Sequence, residues 1–473
     1  MKFLLFGTGD YYNRYKIWFV NHETVALLDN SLQKQHTTMD GVEILSPEKG
    51  IKLEYDKIII LSFYVKQMKE QLLQLGVQKE RIFHFYDLHR IISWHEAARP
   101  IQYYLNAEEI VAATGSDIPK ILLISNELTL GGPPIALFHA AMVLKKKGYT
   151  IIYASMIDGP LRDILIKNRI PVVIDENLLL ARMQETAWVG SFSLVLCNTL
   201  NFHVFLSERD TSIPIIWWLH DARFFYDGVN KDVITRITDE NLRAVSVGPI
   251  PERAVNDFLP ELKCGELLYG VKDVVGRMES KKEDKILRFI TIGFLEDIKG
   301  QDILIQAIEK LPDAVRQKCE FYIVGHEKTL FGEKLKEKSA CFREIFFMGS
   351  VDRKRIHELL SSVDVLICPS RQDSMPTVVA EAMMHGVPCL VSDVVGTAVY
   401  LNDGVDGLIF HSEDVDGLSE KILWCIMHRR RLTQMGVSAR KIYETYFSMD
   451  VFEKNLLAYI HEMAGTPGRR TNE

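Results

Sequence analysis

None of the seven cysteines in this 473-residue sequence pairs with another as C-x-x-C, and no zinc-ligand spacing is visible. Several, Cys197 and Cys368 among them, lie inside apolar, strand-like runs. That is the pattern of free, buried thiols in a reducing compartment. Long apolar stretches are missing too. The longest, near residues 58–63 and 213–219, fall far short of the ~18 residues that a membrane helix needs. The opening MKFLLFGTGDYY has one lysine and only a short apolar run, so it reads as a first strand and not as a signal peptide. Positive charge is not in surplus either. A net charge of −7 argues against a whole-chain electrostatic grip on nucleic acid. The basic runs Lys145-Lys146-Lys147 and Arg429-Arg430-Arg431 read first as solvated helix faces and second as a membrane-surface patch. What remains is a cytoplasmic globular chain, long enough for about three domains.

Apolar strand runs alternate with helix-period stretches along the whole chain, the signature of stacked β-α-β units and parallel sheets. The first unit, residues 1–90, begins KFLLFGTGDYY and continues through TVALLDN, YDKIIILSFY, the helical KQMKEQLLQLGV and RIFHFYD. Residues 91–117 break the alternation and read as a partly helical connector. A second unit, residues 118–275, opens with the strand KILLISNEL, the turn TLGGPP and the helix IALFHAAMVLKKKG. Its further strands are TIIYASM, PVVIDE, SLVLCNT, PIIWWLH and LRAVSVG. The polar stretch VVGRMESKKEDK reads as a crossover. A third unit, residues 276–445, carries RFITIG, EFYIVG, EIFFMG, VDVLICPS and PCLVSD. Residues 446–473 form a last helix and a frayed tail, AGTPGRRTNE.

The stretch PSRQDSMPTVVAEAMMHGVPCLVSD, residues 369–393, concentrates the chemistry. It reads as a strand end, a tight loop, a helix and the next strand. Ser374 is the expected N-cap, Pro376 suits a first helical turn, and Gly386 and Pro388 end the helix. The free N–H groups of Met375, Thr377 and Val378, together with the helix dipole, favour an anion such as a phosphate. Glu381 stands alone among Val378, Val379, Ala380, Ala382, Met383 and Met384. It lies ~10 Å beyond Ser374 at helical rise, about the span from a diphosphate to the ribose of the same nucleotide. There it would accept hydrogen bonds from ribose hydroxyls. The plainer reading is one exposed glutamate on an outer helix face.

PSRQDSMPTVVAEAMMHGVP resembles the donor-site signature of glycosyltransferase family four, whose members have the GT-B fold. In that signature two acidic residues bracket seven others and are followed by Ala-Met, Gly and Pro. The pair here is Asp373 and Glu381, with Asp373 where the family usually has Glu. The segments RFITIGFLEDIKGQDILIQAI, FYIVGHE, FFMGSVDRKRIHELLSSVDVLICPS and LNDGVDGLIF match the family in order and spacing. The likeness is strong over roughly residues 286–445 and weaker over 118–275. It implies an α/β GT-B architecture: two Rossmann-like domains facing across a cleft, preceded here by a small Rossmann-like domain. The family's diphosphate clamp implies a role for Lys299, which by itself is a lysine in a surface turn. The partner cation is replaced by Phe294.

The resemblance extends to the second unit, where LTLGGPPIALFHAAMVLKKKGYTIIYAS is similar to the family's glycine loop. Gly131 and Gly132 would let backbone N–H groups approach donor phosphate or acceptor; alone, they read as a plain turn. His220 ends the strand PIIWWLH, where the family often has a His facing the sugar; a structural histidine is the equal alternative. Tyr269-Gly270-Val271 lies where the family has a short loop entering the crossover. In the first unit, Gly7-x-Gly9 is followed by Asn13, so the dinucleotide fingerprint is incomplete, although Asp29 stands where a ribose-binding acid would sit. Binding of NAD, a nucleotide-sugar or coenzyme A by this unit competes with a role as scaffold or protein-contact domain. Asp414-Val415-Asp416 resembles a metal-binding D-x-D but reads as helix capping.

The implied activity is retaining transfer of a hexose from a nucleotide-sugar, UDP-linked in the first instance, to an acceptor hydroxyl in cell-surface polysaccharide or glycan synthesis. Lys299 and the N–H groups at the helix start would hold the departing diphosphate, Asp373 the donor sugar, and His220 the transferred sugar or the acceptor. No metal and no cofactor are implied. The acceptor would be a glycan or a lipid-linked glycan, which leaves room for a peripheral contact with the inner face of a membrane. A GT-B protein that binds nucleotide-sugar without turnover is the alternative.

Overall fold

The computed structural model describes residues 1–93, 98–113, 119–179, 181–275, 286–326 and 329–464. Most of the expected crossover at residues 274–285 and the tail beyond Ala464 lie outside them. The described residues form three sheets and cluster into two compact units. One unit comprises Met1–Val245, Pro251–Gly265 and Tyr459–Glu473; the other comprises Ser246–Ile250 and Glu266–Ala458.

The first unit holds two sheets. The N-terminal one has six strands in the order Thr38–Met39, Val42–Leu45, Glu23–Leu28, Lys2–Phe6, Lys57–Ile60, Ile82–His84. The paired strands Lys2–Phe6 and Lys57–Ile60 are apolar after their first residue because both faces of a parallel sheet are covered. Two short strands escaped the sequence reading. Thr38–Met39 and Val42–Leu45 form a hairpin whose turn residues Asp40 and Gly41 have φ of 51° and 80°. Asp-Gly is the pair such a turn favours.

The second sheet has eight strands in the order Cys264–Glu266, Leu242–Ser246, Ile215–Leu219, Leu194–Asn198, Lys120–Ser125, Thr150–Ser155, Val172–Ile174, Gln102–Tyr104. Residues 91–117 are thus more than a connector. Gln102–Tyr104 adds an antiparallel edge strand to Val172–Ile174, and Ala107–Ala112 is a helix whose Ala107 enters the core. After Lys120–Ser125 the helix begins at Gly132, three residues before the expected start. Pro133 and Pro134 fit its first turn, where no N–H donor is needed.

The other unit is built on six strands in the order Ile345–Gly349, Cys319–Val324, Leu287–Ile292, Val365–Cys368, Cys389–Ser392, Gly407–Phe410, with parallel pairing between all neighbours. This is the doubly wound arrangement, with the strand order reversing between Leu287–Ile292 and Val365–Cys368. The loops that follow those two strands must diverge there. Gly300 lets them meet again. Its φ is 67°, and a Cβ on it would run into the Pro369 carbonyl oxygen.

Gly300→Ala is therefore expected to destabilise this unit by at least the ~1–2 kcal/mol of a left-handed L-residue, with the steric clash in addition. Urea unfolding measures it. An unchanged midpoint would mean that the loop relaxes without cost.

Candidate functional site

The reversal point gathers the groups of the Glu266–Ala458 unit. The chain leaves Leu287–Ile292 through Gly293, Phe294 and the short turn Asp297–Lys299. It leaves Val365–Cys368 through Pro369 to Pro376. The Lys299 ammonium donates to Asp373 Oδ2 at 2.7 Å, with side-chain exposures of 30% and 14%. The Asp373 carboxylate raises the Lys299 pKa against the opposing cost of burial, so the cation persists at neutral pH.

Arg371 holds the two loops in this register. Its guanidinium makes a bidentate pair with Asp302, 2.8 Å to each oxygen, and also reaches the Asp297 carbonyl at 2.5 Å and Glu413 at 2.8 Å. Its backbone N–H donates to the Ile298 carbonyl at 2.9 Å. With Arg371 spent in this clamp, it is not a spare cation for a ligand. Phe294 is 63% exposed.

The helix spans Thr377–Met384, and its cap is Pro376, not Ser374. Ser374 lies outside the helix because the loop is extended. Asp373 bridges to Val395, and Gly396 N–H donates to the Asp373 carbonyl at 2.9 Å. Pro376, with ψ of 119°, then closes the first turn by accepting from Val379 N–H at 3.1 Å. Thr377 and Val378 therefore carry the first N–H groups without an intrahelical acceptor. Met375 is buried.

Glu381 lies one turn into this helix, ~6 Å from its start, and is only 1% exposed. The reading as a surface glutamate is overturned. One oxygen lies 2.5 Å from the Arg353 guanidinium in an ion pair, and the other, Oε2, has no hydrogen-bond partner. Burial raises its pKa; Arg353 opposes the shift without cancelling it. A buried carboxylate with open acceptor capacity is costly unless a ligand supplies donors. Tyr269, also buried, has a hydroxyl without a hydrogen-bond partner, and its pKa is pushed up by burial and then by Asp373 and Glu381.

Gly131, Gly132 and His220 belong to the other unit. Gly131 caps the Gly132–Lys146 helix, and a Cβ on Gly132 would meet nothing within 4 Å, so the backbone there is open to approach. His220 follows the Ile215–Leu219 strand, half-buried, with Nε2 unpartnered. Burial pushes its pKa down to about 3, which keeps the imidazole neutral at pH 7. Its neighbour Asp221 is pushed up to about 6 by burial and accepts from Leu200 N–H at 2.6 Å. In the N-terminal sheet, the Asp29 carboxylate is already occupied by Thr8, the Ser31 N–H and Lys34. These outweigh burial and lower its pKa. Asp414 caps the Val415–Met427 helix through Gly417 N–H at 2.8 Å. Among the described residues no group of three or more His, Cys, Asp and Glu side chains is placed to hold a metal, and no helix is long and apolar enough to cross a membrane.

Arg371, Arg353 and Tyr269 were not singled out by the sequence reading as site residues. The two arginines sit inside motif segments, but their partners Asp302 and Glu381 are distant in sequence.

The fold and these loops define a GT-B protein. Residues 277–442 match the family model Glycosyl transferases group 1, and residues 119–242 match Glycosyl-transferase family 4. Residues 1–83 match a third model, C2185-like, N-terminal. Two separate stretches of the chain thus match glycosyltransferase family models. It is 27% identical over 168 residues to the lipopolysaccharide glucosyltransferase WaaG of Escherichia coli K12, a match covering 35% of this chain and 44% of that one. It is 23% identical over 358 residues to spore coat protein SA of Bacillus subtilis 168, covering 69% and 91%. Among solved structures, Anabaena Alr3699/HepE in complex with UDP-glucose superposes with a TM-score of 0.62 at 16% identity, covering 73% of this chain and all of that one.

Because folding buries Glu381 and raises its pKa, it stabilises least where it is ionised: its contribution fades as pH climbs above the ordinary glutamate range. Glu381→Gln should raise the ligand-free melting temperature at pH 7.5 by on the order of 2 °C, with the gain shrinking towards pH 4.5. A lower melting temperature at both pH values would make the Arg353 pair a net structural tie.

Proposed function

We propose that the protein is a retaining glycosyltransferase that moves a hexose from a nucleotide-sugar, UDP-linked in the first instance, to an acceptor hydroxyl in cell-surface glycan synthesis. The observation that carries this is Glu381: a buried carboxylate with unused acceptor capacity, one turn below a helix start that offers free N–H groups. Ribose hydroxyls are the donors that would satisfy it.

In this reading the Thr377 and Val378 N–H groups and Lys299 stabilise charge on the departing diphosphate. Lys299 reaches that role already ionised. Asp373, held in place by Lys299 and the Val395 bridge, orients donor-sugar hydroxyls. The leaving phosphate takes the acceptor proton, so no separate strong base is required. Neutral His220 offers a hydrogen bond to the sugar or the acceptor. The lipopolysaccharide glucosyltransferase among the relatives and the UDP-glucose complex of the structural neighbour support a UDP-hexose donor. One observation favours a second reading, a protein that binds nucleotide-sugar without turnover: an exposed Phe294 stands where a clamp cation would.

The test is a melting-temperature panel of UDP-, GDP-, ADP- and dTDP-sugars, followed by release of the nucleotide with and without candidate acceptors. A ligand at 100 times its Kd adds about 2.7 kcal/mol. Glu381→Ala should weaken the responding nucleotide by about 1–3 kcal/mol. Lys299→Ala should lower turnover by ~10²–10³ while shifting the melting temperature little. Binding without turnover in the wild type would select the second reading. No response to any nucleotide-sugar would end both.

A further inference from the structure

A cavity of about 190 Å³ lies within the first unit, between its two sheets. That is far more than the ~10–15 Å³ needed for one water. One wall comes from the N-terminal sheet, through Tyr11, Phe63 and Phe85, and the other from the second sheet, through Glu127, Thr199 and Asp221. Tyr11 and Phe63 follow the carboxyl ends of Lys2–Phe6 and Lys57–Ile60, and Glu127 and Thr199 those of Lys120–Ser125 and Leu194–Asn198, the two strand pairs at which the order reverses; Phe85 and Asp221 follow the next strands outward, Ile82–His84 and Ile215–Leu219. Two crevices of the type that bind ligands in open α/β sheets therefore share one cavity.

The aromatic wall is fixed. Tyr11 lies nearly parallel to Phe85, 5.2 Å between centroids at 14°, and Phe63 meets Tyr11 edge-on at 4.8 Å and 78°. Phe63 in turn packs on Phe225 of the second sheet's loops at 4.7 Å, and Tyr86 on His203 at 4.9 Å. Arg14 pairs with Glu127 at 2.5 Å and joins the two walls. Across from it, Thr199 has a φ of 78°, strained backbone for a β-branched residue. Its carbonyl accepts from Trp217 Nε1 at 2.8 Å, and Asp221 holds the next N–H, so the strain is locked in place.

The charges select the ligand. Among the described lining residues, two carboxylates face one guanidinium, which disfavours a phosphate and favours hydroxyl donors. An aromatic wall opposite carboxylates fits a pyranose, with its C–H groups against the rings and its hydroxyls towards Glu127 and Asp221.

We propose that residues 1–90 supply the aromatic wall of a sugar-binding pocket, and that a pyranose unit of the acceptor binds there against Tyr11, Glu127 and Asp221. Only the word acceptor rests on the transferase reading. The site goes beyond that reading, because it assigns sugar recognition to the N-terminal sheet.

Saturation-transfer NMR on the full chain, with methyl glycosides of glucose, galactose, mannose and N-acetylglucosamine as probes, tests it. At least one glycoside is expected to take up saturation in the wild type, and Tyr11→Ala and the near-isosteric Glu127→Gln should each weaken it ~10-fold or more. Both variants should keep the wild-type response to the nucleotide-sugar. No transfer to any glycoside, or transfer that both variants retain, overturns the pocket. So does a nucleotide or NAD response that disappears in Tyr11→Ala, since that puts a nucleotide in the cavity. Glycoside binding lost in both variants, with no nucleotide-sugar response in any protein, upholds the pocket and removes the transferase reading instead.

Discussion

A parallel sheet whose strand order reverses cannot keep its following loops together. At the reversal, one chain crosses to one face and its neighbour to the other, and the backbone between them is left open at the carboxyl edge. Each of the three sheets has one such reversal, beside Lys2–Phe6, Lys120–Ser125 and Leu287–Ile292. Glu127, His220 and Glu381, buried polar groups with unused bonding capacity, lie in segments that follow the carboxyl ends of the strands at or next to these reversals. The topology decides where chemistry can happen before any side chain is chosen.

What the loops then need is a tie, because two diverging segments have no reason to stay in register. In the Glu266–Ala458 unit the tie is ionic: Arg371 joins Asp302, the Asp297 carbonyl and Glu413, and Gly300 brings the backbone in against Pro369. This leaves Lys299 and Asp373 facing each other as a pair that neutralises itself without ligand. A diphosphate binding Lys299 as proposed would exchange one anion for another, so little charge would be left bare in either state. Glu381 is the opposite case. Its cost is carried permanently in the ligand-free protein, which is how a buried group retained for binding behaves.

The strands were largely legible in the sequence because buried parallel strands are continuous apolar runs. The Lys299 turn and the Glu381 helix were legible because their residues are close in sequence and fall in ordered motifs. The errors have physical causes. Ser374 looked like a cap on composition, but the Asp373–Val395 bridge pulls the loop out straight and hands the cap to Pro376. The Asp40-Gly41 hairpin was signalled and passed over, its strands being only two and four residues long. Gln102–Tyr104 gave no strand pattern, since a three-residue edge strand is made by its neighbour Val172–Ile174 and not by its own sequence. The cavity was invisible for a different reason. Arg14 and Glu127 are more than a hundred residues apart, and neither stands in a motif.

The N-terminal sheet keeps the layout of a dinucleotide fold while its polar groups are used within the protein. Gly7 and Asp29 stand where a dinucleotide site would have its turn and its acid, yet Thr8, Ser31 and Lys34 fill the carboxylate. The helix that would face a pyrophosphate is only six residues long, Asp10–Tyr15. It turns Tyr11 and Arg14 towards the second sheet instead, where Phe63 on Phe225 and Arg14 on Glu127 hold them. Across the cavity, Thr199 keeps a backbone angle that costs energy only because Trp217 and Asp221 leave it no alternative. A wall fixed on one side and a strained turn fixed on the other make a preorganised pocket. Preorganisation is what lets a neutral, weakly interacting ligand such as a sugar bind at all, because few of its modest contacts are then spent on ordering the protein.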